Sequence, residues 1–145
     1  MKYAPYTESM KNLISAVLAI VLTGCVATSI EYKPVKVDRD QAFELLERSL
    51  RLQYRKLSAR TVEVTDKYFK TTRTKYSSDQ WVGGITASEK AEFVYYDNVK
   101  SIKLYEKGSY YLVELLSGDG IKLYHYGSQQ RSEAEDFANA MESLR

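Results

Sequence analysis

One cysteine, one histidine and two prolines in 145 residues set the first limits on this chain. Cys25 alone cannot form an internal disulfide, and with His125 as the only imidazole no Cys/His set has metal-ligand spacing. The fold must stand on its hydrophobic core, and no metal or other cofactor is expected. The chain also lacks a block of one charge sign. Its 21 Lys and Arg and 19 Asp and Glu are spread along the sequence, leaving a formal net charge of +2. With no basic stretch to neutralise a phosphate backbone, nucleic acid is not expected as a partner. Catalytic signatures are missing too. No nucleophile-elbow pattern occurs, and Gly118-Asp119-Gly120 is too short, and in the wrong context, for a phosphate-cradling loop. It reads as a turn.

What the chain does have is 13 tyrosines, a residue whose ring packs on sheets while its hydroxyl reaches water or a partner. It also has an apolar run from Leu13 to Leu22, preceded by Lys11 and followed directly by Thr23, Gly24 and Cys25. Ten helical residues rise only about 15 Å, roughly half the hydrocarbon thickness of a bilayer. The run therefore has the length and flanks of an export signal and not of a permanent span. Met10-Lys11-Asn12 would itself open a compact signal, so Met1 and Met10 are both candidate starts.

The four residues Leu22-Thr23-Gly24-Cys25 resemble the lipobox of bacterial lipoproteins. That resemblance implies cleavage between Gly24 and Cys25, a lipid on the Cys25 thiol and acylation of the new amine. Two or three acyl chains, at about 0.8 kcal/mol per buried methylene, hold a protein stably on a membrane. Val26, which is not Asp, follows the cysteine. By the sorting rule of the class this implies the outer membrane, facing the periplasm. The alternative is an ordinary secretory signal followed by a buried thiol.

Beyond the signal (residues 1–24), residues 25–37 show no periodicity and are interrupted by Pro34, so they read as a tether; a single α+β domain is expected over 38–145. Asp38 and Gln41 resemble a helix cap, and Phe43, Leu46, Leu50, Tyr54 and Leu57 recur at helical spacing, predicting a helix from Asp38 to Leu57. Its Arg48, Arg51, Arg55 and Lys56 could meet anionic headgroups, or simply form a solvated face. Val62 and Val64 open a strand that turns near Asp66 and Lys67 into Tyr68–Tyr76. Ser77–Glu89, with Trp81 and Gly83-Gly84, reads as a loop or bulge in which Trp81 is an anchor or an exposed contact.

Phe93–Tyr96, Val99–Glu106, Tyr110–Leu116 and Ile121–Tyr126, joined by turns at Gly108 and Gly118-Asp119-Gly120, predict an antiparallel β meander. Ser132 with Glu135 suggests a capping box, and Ala134, Phe137, Ala138, Met141 and Leu144 a C-terminal helix laid on the sheet. Strands closed by a C-terminal helix, over about Arg60 to Arg145, resemble the pleckstrin-homology-like (PH-like) barrel of bacterial proteins. The helix from Asp38 lies outside that pattern, so a closed barrel and an open sheet under two helices both remain.

Alternation points Ile102, Leu104, Val113, Leu115, Ile121 and Leu123 toward the core, with His125 at the end of that row. The opposite face then carries Lys103, Tyr105, Tyr110, Leu112, Lys122, Tyr124 and Tyr126. Tyr105, Tyr110, Tyr124 and Tyr126, with Trp81, are the candidate binding residues; the same tyrosines could equally form a ladder that only stabilises the sheet. The expected function is a lipid-anchored, non-enzymatic binding module of the bacterial envelope with an envelope protein as partner. The alternatives are a structural envelope lipoprotein without a discrete ligand, and a small envelope hydrolase for which no catalytic residue can be named.

Overall fold

The computed structural model describes residues 27–54, 59–78 and 85–145. Leu13–Leu22, Gly24, Cys25, Arg55–Leu57, Trp81 and Gly83-Gly84 lie outside the described residues. The protein is α+β, with two antiparallel sheets and two α-helices among the described residues. The first sheet has the order β1-β5-β6-β7, built from Thr28–Ile30, Ser101–Lys107, Tyr110–Leu116 and Lys122–Ser128. The second has the order β2-β3-β4, built from Thr61–Val64, Tyr68–Ser78 and Ile85–Tyr95. Helix α1 spans Arg39–Arg51 and helix α2 spans Arg131–Leu144. The sheets stay separate, so of the two architectures open to the sequence the open one is realised, and no closed barrel forms among the described residues.

Each helix buries one stripe. Ala42, Leu46, Ser49 and Leu50 are buried on α1, and Ala134, Phe137, Ala138, Met141 and Leu144 on α2, at the three- and four-residue spacing of a helix face. The helices run antiparallel and pack on each other, bridged on their exposed side by Arg48 and Asp136 at 2.9 Å. Beneath them Leu104, Val113 and Leu115 of the first sheet and Phe69 and Val94 of the second complete one core. Burying a side chain of this size stabilises the fold by about 1.5–3 kcal/mol.

The helix ends differ from expectation for local reasons. α1 begins as foreseen, with the Asp38 carboxylate accepting from the Asp40 N–H at 3.2 Å. It ends at Arg51, not Leu57, because Gln53 and Tyr54 take partners on β7: the Tyr54 N–H donates to the Gly127 carbonyl at 3.0 Å. The box expected between Ser132 and Glu135 is not formed. Ser132 lies inside α2 and Glu135 pairs with Arg131 at 2.7 Å. Ser128, two residues before the cap residue Gln130, serves the start of the helix instead, accepting from the Gln130 N–H at 3.0 Å and donating to the Glu133 carboxylate.

The segment expected to be a tether is largely part of the domain. β1 pairs with β5, with Thr28 opposite Glu106 and Ile30 opposite Leu104. The Tyr32 hydroxyl and the Val35 N–H both donate to Asn139 of α2, at 2.8 and 2.7 Å, and the Val37 N–H donates to Ser143 at 2.8 Å. Among the described residues the folded unit thus reaches back to Thr28, ahead of Asp38. The hairpin after Val64 turns at Thr65–Lys67 as expected, but β3 and β4 run on to Ser78 and from Ile85, well into the stretch read as a loop. Gly108 and Gly120 occupy positive φ angles of 61° and 75°, the left-handed conformation that gives those two turns their glycines.

The largest departure is on β7. Leu115 pairs with Tyr124 but Leu116 pairs with Lys122, so Leu123 is an extra residue in a β-bulge. At the bulge Leu123 and Tyr124 both lie against the core, and from there inward alternation continues through Tyr126 and Ser128. Tyr124 and Tyr126, expected on the binding face, are therefore buried, whereas His125 faces outward and Ile121 is exposed in the turn. The Tyr126 ring stacks on Phe137 at 4.4 Å, with its hydroxyl near Ser49 and Ser128 but in good hydrogen-bond geometry to neither. Truncating it should cost about 3–5 kcal/mol, while removing only a poorly satisfied hydroxyl should cost little or stabilise slightly. Thermal or urea unfolding should show Tyr126→Ala far below the parent and Tyr126→Phe at or above it; equal losses would place this residue on the wrong face.

Candidate functional site

Among the described residues helix α2 covers one face of the first sheet, and no helix lies on the other, open face. The open face carries Lys103, Tyr105, Lys107, Tyr110, Leu112, Glu114 and His125, brought into line by the pairing of Tyr105 with Leu112, Lys107 with Tyr110 and Glu114 with His125. Two of the four candidate tyrosines, Tyr105 and Tyr110, thus lie on it, each half-buried. The side chain of Tyr54, brought there by the exit from α1, stacks on Tyr110 with centroids 6.0 Å apart and planes within 3°. Around this pair a cleft of about 420 Å³ runs between Lys107, Leu112, Glu114, Lys122 and His125. Glu114 and Lys122 form an ion pair at its far end.

Tyr124 plays a different part from the one its sequence position suggested. Its hydroxyl accepts from Gln53 Nε2 at 2.5 Å and from the Arg73 guanidinium at 3.0 Å, and the same guanidinium lies over its ring at 5.5 Å. Arg73 also reaches Glu92 at 3.6 Å. This network ties the exit of α1, the middle of β3 and β7 together. It is a structural junction beneath the open face, not a contact surface.

A second aromatic group escaped the sequence reading. On the open face of the other sheet Tyr68 lies 5.8 Å from Phe93 and 5.5 Å from Tyr95, both rings tilted. Lys70 sits over the Phe93 ring at 5.2 Å, and the Tyr68 hydroxyl donates to Glu63 at 2.9 Å. Phe93 is 51% exposed and Tyr95 49%. The signal was available: Phe93 and Tyr95 share a parity within β4, and Phe93 pairs with Lys70 and Tyr95 with Tyr68 across β3. It could be found only by knowing that register.

His125 is held below its ordinary range, first by burial and then by Arg73 and Lys122, against which Glu92 and Glu114 act weakly. No serine or threonine hydroxyl among the described residues is hydrogen-bonded to it. Among the described residues no three His, Cys, Asp or Glu side chains converge as a metal site would require, and no helix there is long and apolar enough to cross a membrane. No family model, curated protein or solved structure matches the chain.

Because the folded His125 holds its proton less tightly than an unfolded histidine with a value near 6.5, the unfolded state binds more protons just below that pH. The His125 contribution is therefore intact above pH 6.5 and is lost as pH falls through and below it. Denaturant titrations across mildly acid pH should show a shallower stability loss for His125→Gln than for the parent; parallel curves would remove His125 as a cause.

Proposed function

We propose that this protein is a lipid-anchored, periplasm-facing, non-enzymatic binding module of the bacterial envelope, taking a protein partner on its open sheet faces. The half-exposed Phe93 in its cluster with Tyr68, Tyr95 and Lys70 carries the binding reading. Nothing in the core explains an uncovered phenylalanine, and clustered aromatics beside a cation are the composition enriched in protein interfaces. Away from its β5–β6 turn, the open face of the first sheet supplies a second contact area through Tyr105, Leu112 and the Glu114–Lys122 pair. A β-sheet face of rings and paired charges suits the side of another folded protein better than a small molecule, which calls for a more enclosed and apolar pocket.

Anchoring rests on Leu22-Thr23-Gly24-Cys25. Expressed in a lipoprotein-competent bacterium, the protein should lose residues up to Gly24, gain acyl mass by intact mass spectrometry and sediment with membranes. Cys25→Ser should do none of these; an unacylated parent would rule out the anchor.

Binding is tested in the same cells with a photoreactive amino acid in place of Tyr95. One dominant crosslinked partner is expected, lost or reduced at least tenfold on Phe93→Ser at unchanged thermal stability. Diffuse crosslinks insensitive to Phe93 would instead favour a structural envelope protein without a discrete ligand.

A further inference from the structure

Only Val26 and Ala27 separate Cys25 from Thr28, the first residue of β1. Fully extended, that interval spans at most about 11 Å. Thr28 is not free to drift from the domain, because it pairs with Glu106, next to the β5–β6 turn at Lys107–Tyr110. Whatever holds Cys25 at a lipid surface must therefore hold one particular end of the domain there.

The geometry points to a lipid-facing end formed by the β5–β6 turn, the exit of α1 and the start of α2, with the protein standing on the membrane by that end. This rests on the lipid anchor proposed above and adds to it an orientation and a second contact with the same membrane. The three elements are brought together by the Tyr54 N–H donating to Gly127 and by the pairing of Tyr111 with Ser128. Their exposed or half-exposed side chains include Arg51, Leu52, Tyr54, Lys107, Tyr110 and Arg131. Leu52 is 55% exposed, and the Arg51 and Arg131 side chains are 57% and 53% exposed. Tyrosine rings, an apolar side chain and long basic residues are the composition that settles at headgroup level.

The opposite end carries the turns with Asp38, Asp66, Asp97 and Asp119. Arg39, Lys67 and Lys100 share that end, and at the first end Arg51 pairs with Glu47, Arg131 pairs with Glu135 and Glu106 is exposed, so charge alone does not choose between the two. Covalent reach does. Strands of seven residues place the two ends of the first sheet about 20 Å apart, farther than the interval from Cys25 allows. In this stance the strands run away from the lipid and both open sheet faces look sideways into the periplasm.

The test uses the acylated full-length protein in phosphatidylethanolamine and phosphatidylglycerol vesicles that contain a headgroup nitroxide lipid. Acylation occupies Cys25, so a second cysteine can be labelled selectively with a thiol-reactive fluorophore, at Ser109→Cys in the β5–β6 turn or at Asp119→Cys in the β6–β7 turn. Quenching should be at least threefold stronger at position 109, and ten Gly/Ser residues inserted between Ala27 and Thr28 should narrow that ratio. If intact mass shows acylation but the two positions quench alike or in reverse order, the orientation is wrong and the anchor stands. If no acyl mass is found, both fail together.

Discussion

The bulge at Leu123 is the constraint on which the arrangement of the first sheet depends. One extra residue on β7 lets Leu123 and Tyr124 both touch the core and sets Tyr126 and Ser128 on the inner side. The Tyr126 ring can then stack on Phe137 of α2, and Ser128 can serve the start of that helix. Tyr124 is placed to receive Gln53 and Arg73, which draws in the chain leaving α1 and the middle strand of the second sheet. Since the side-chain period of a strand is two, a one-residue change of register there would exchange all these contacts for their outward neighbours.

The same feature explains where sequence reading stopped. Elements with strong periodicity were legible: the five α2 residues Ala134, Phe137, Ala138, Met141 and Leu144 are all buried, and β6 spans Tyr110–Leu116 as read. Gly108 and Gly120 marked their turns because only a residue without Cβ takes those φ angles cheaply. The face of β7 was misread because Ile121 and Leu123 look like core residues and tyrosine looks amphipathic, while the bulge that overrides both leaves no mark in composition. Tyr105 and Tyr110 were placed correctly because β5 and β6 pair without interruption.

Long-range pairing accounts for the other omissions. β1 is three residues long and has no alternation to read; it exists because β5 offers it an edge and because Asn139 and Ser143 fix the chain that follows. The Tyr68–Phe93–Tyr95 cluster needs the β3–β4 register, and the Tyr54–Tyr110 stack needs the end of α1, neither of which local propensity states. Open faces of this kind are set by the scaffold and not by a motif.

The pairing of β1 with β5 also has a mechanical consequence. A pull on the chain ahead of Thr28, directed along β1 and away from the rest of the domain, loads its pairs with β5 in parallel, in shear, so that they must yield together and not one after another. Behind them, the contacts of Tyr32 and Val35 with Asn139 and of Val37 with Ser143 form a second row that is reached only after the first has given way. The N-terminal edge of the described domain is thus a seam that yields in two stages, β1 first and the segment from Tyr32 to Val37 second.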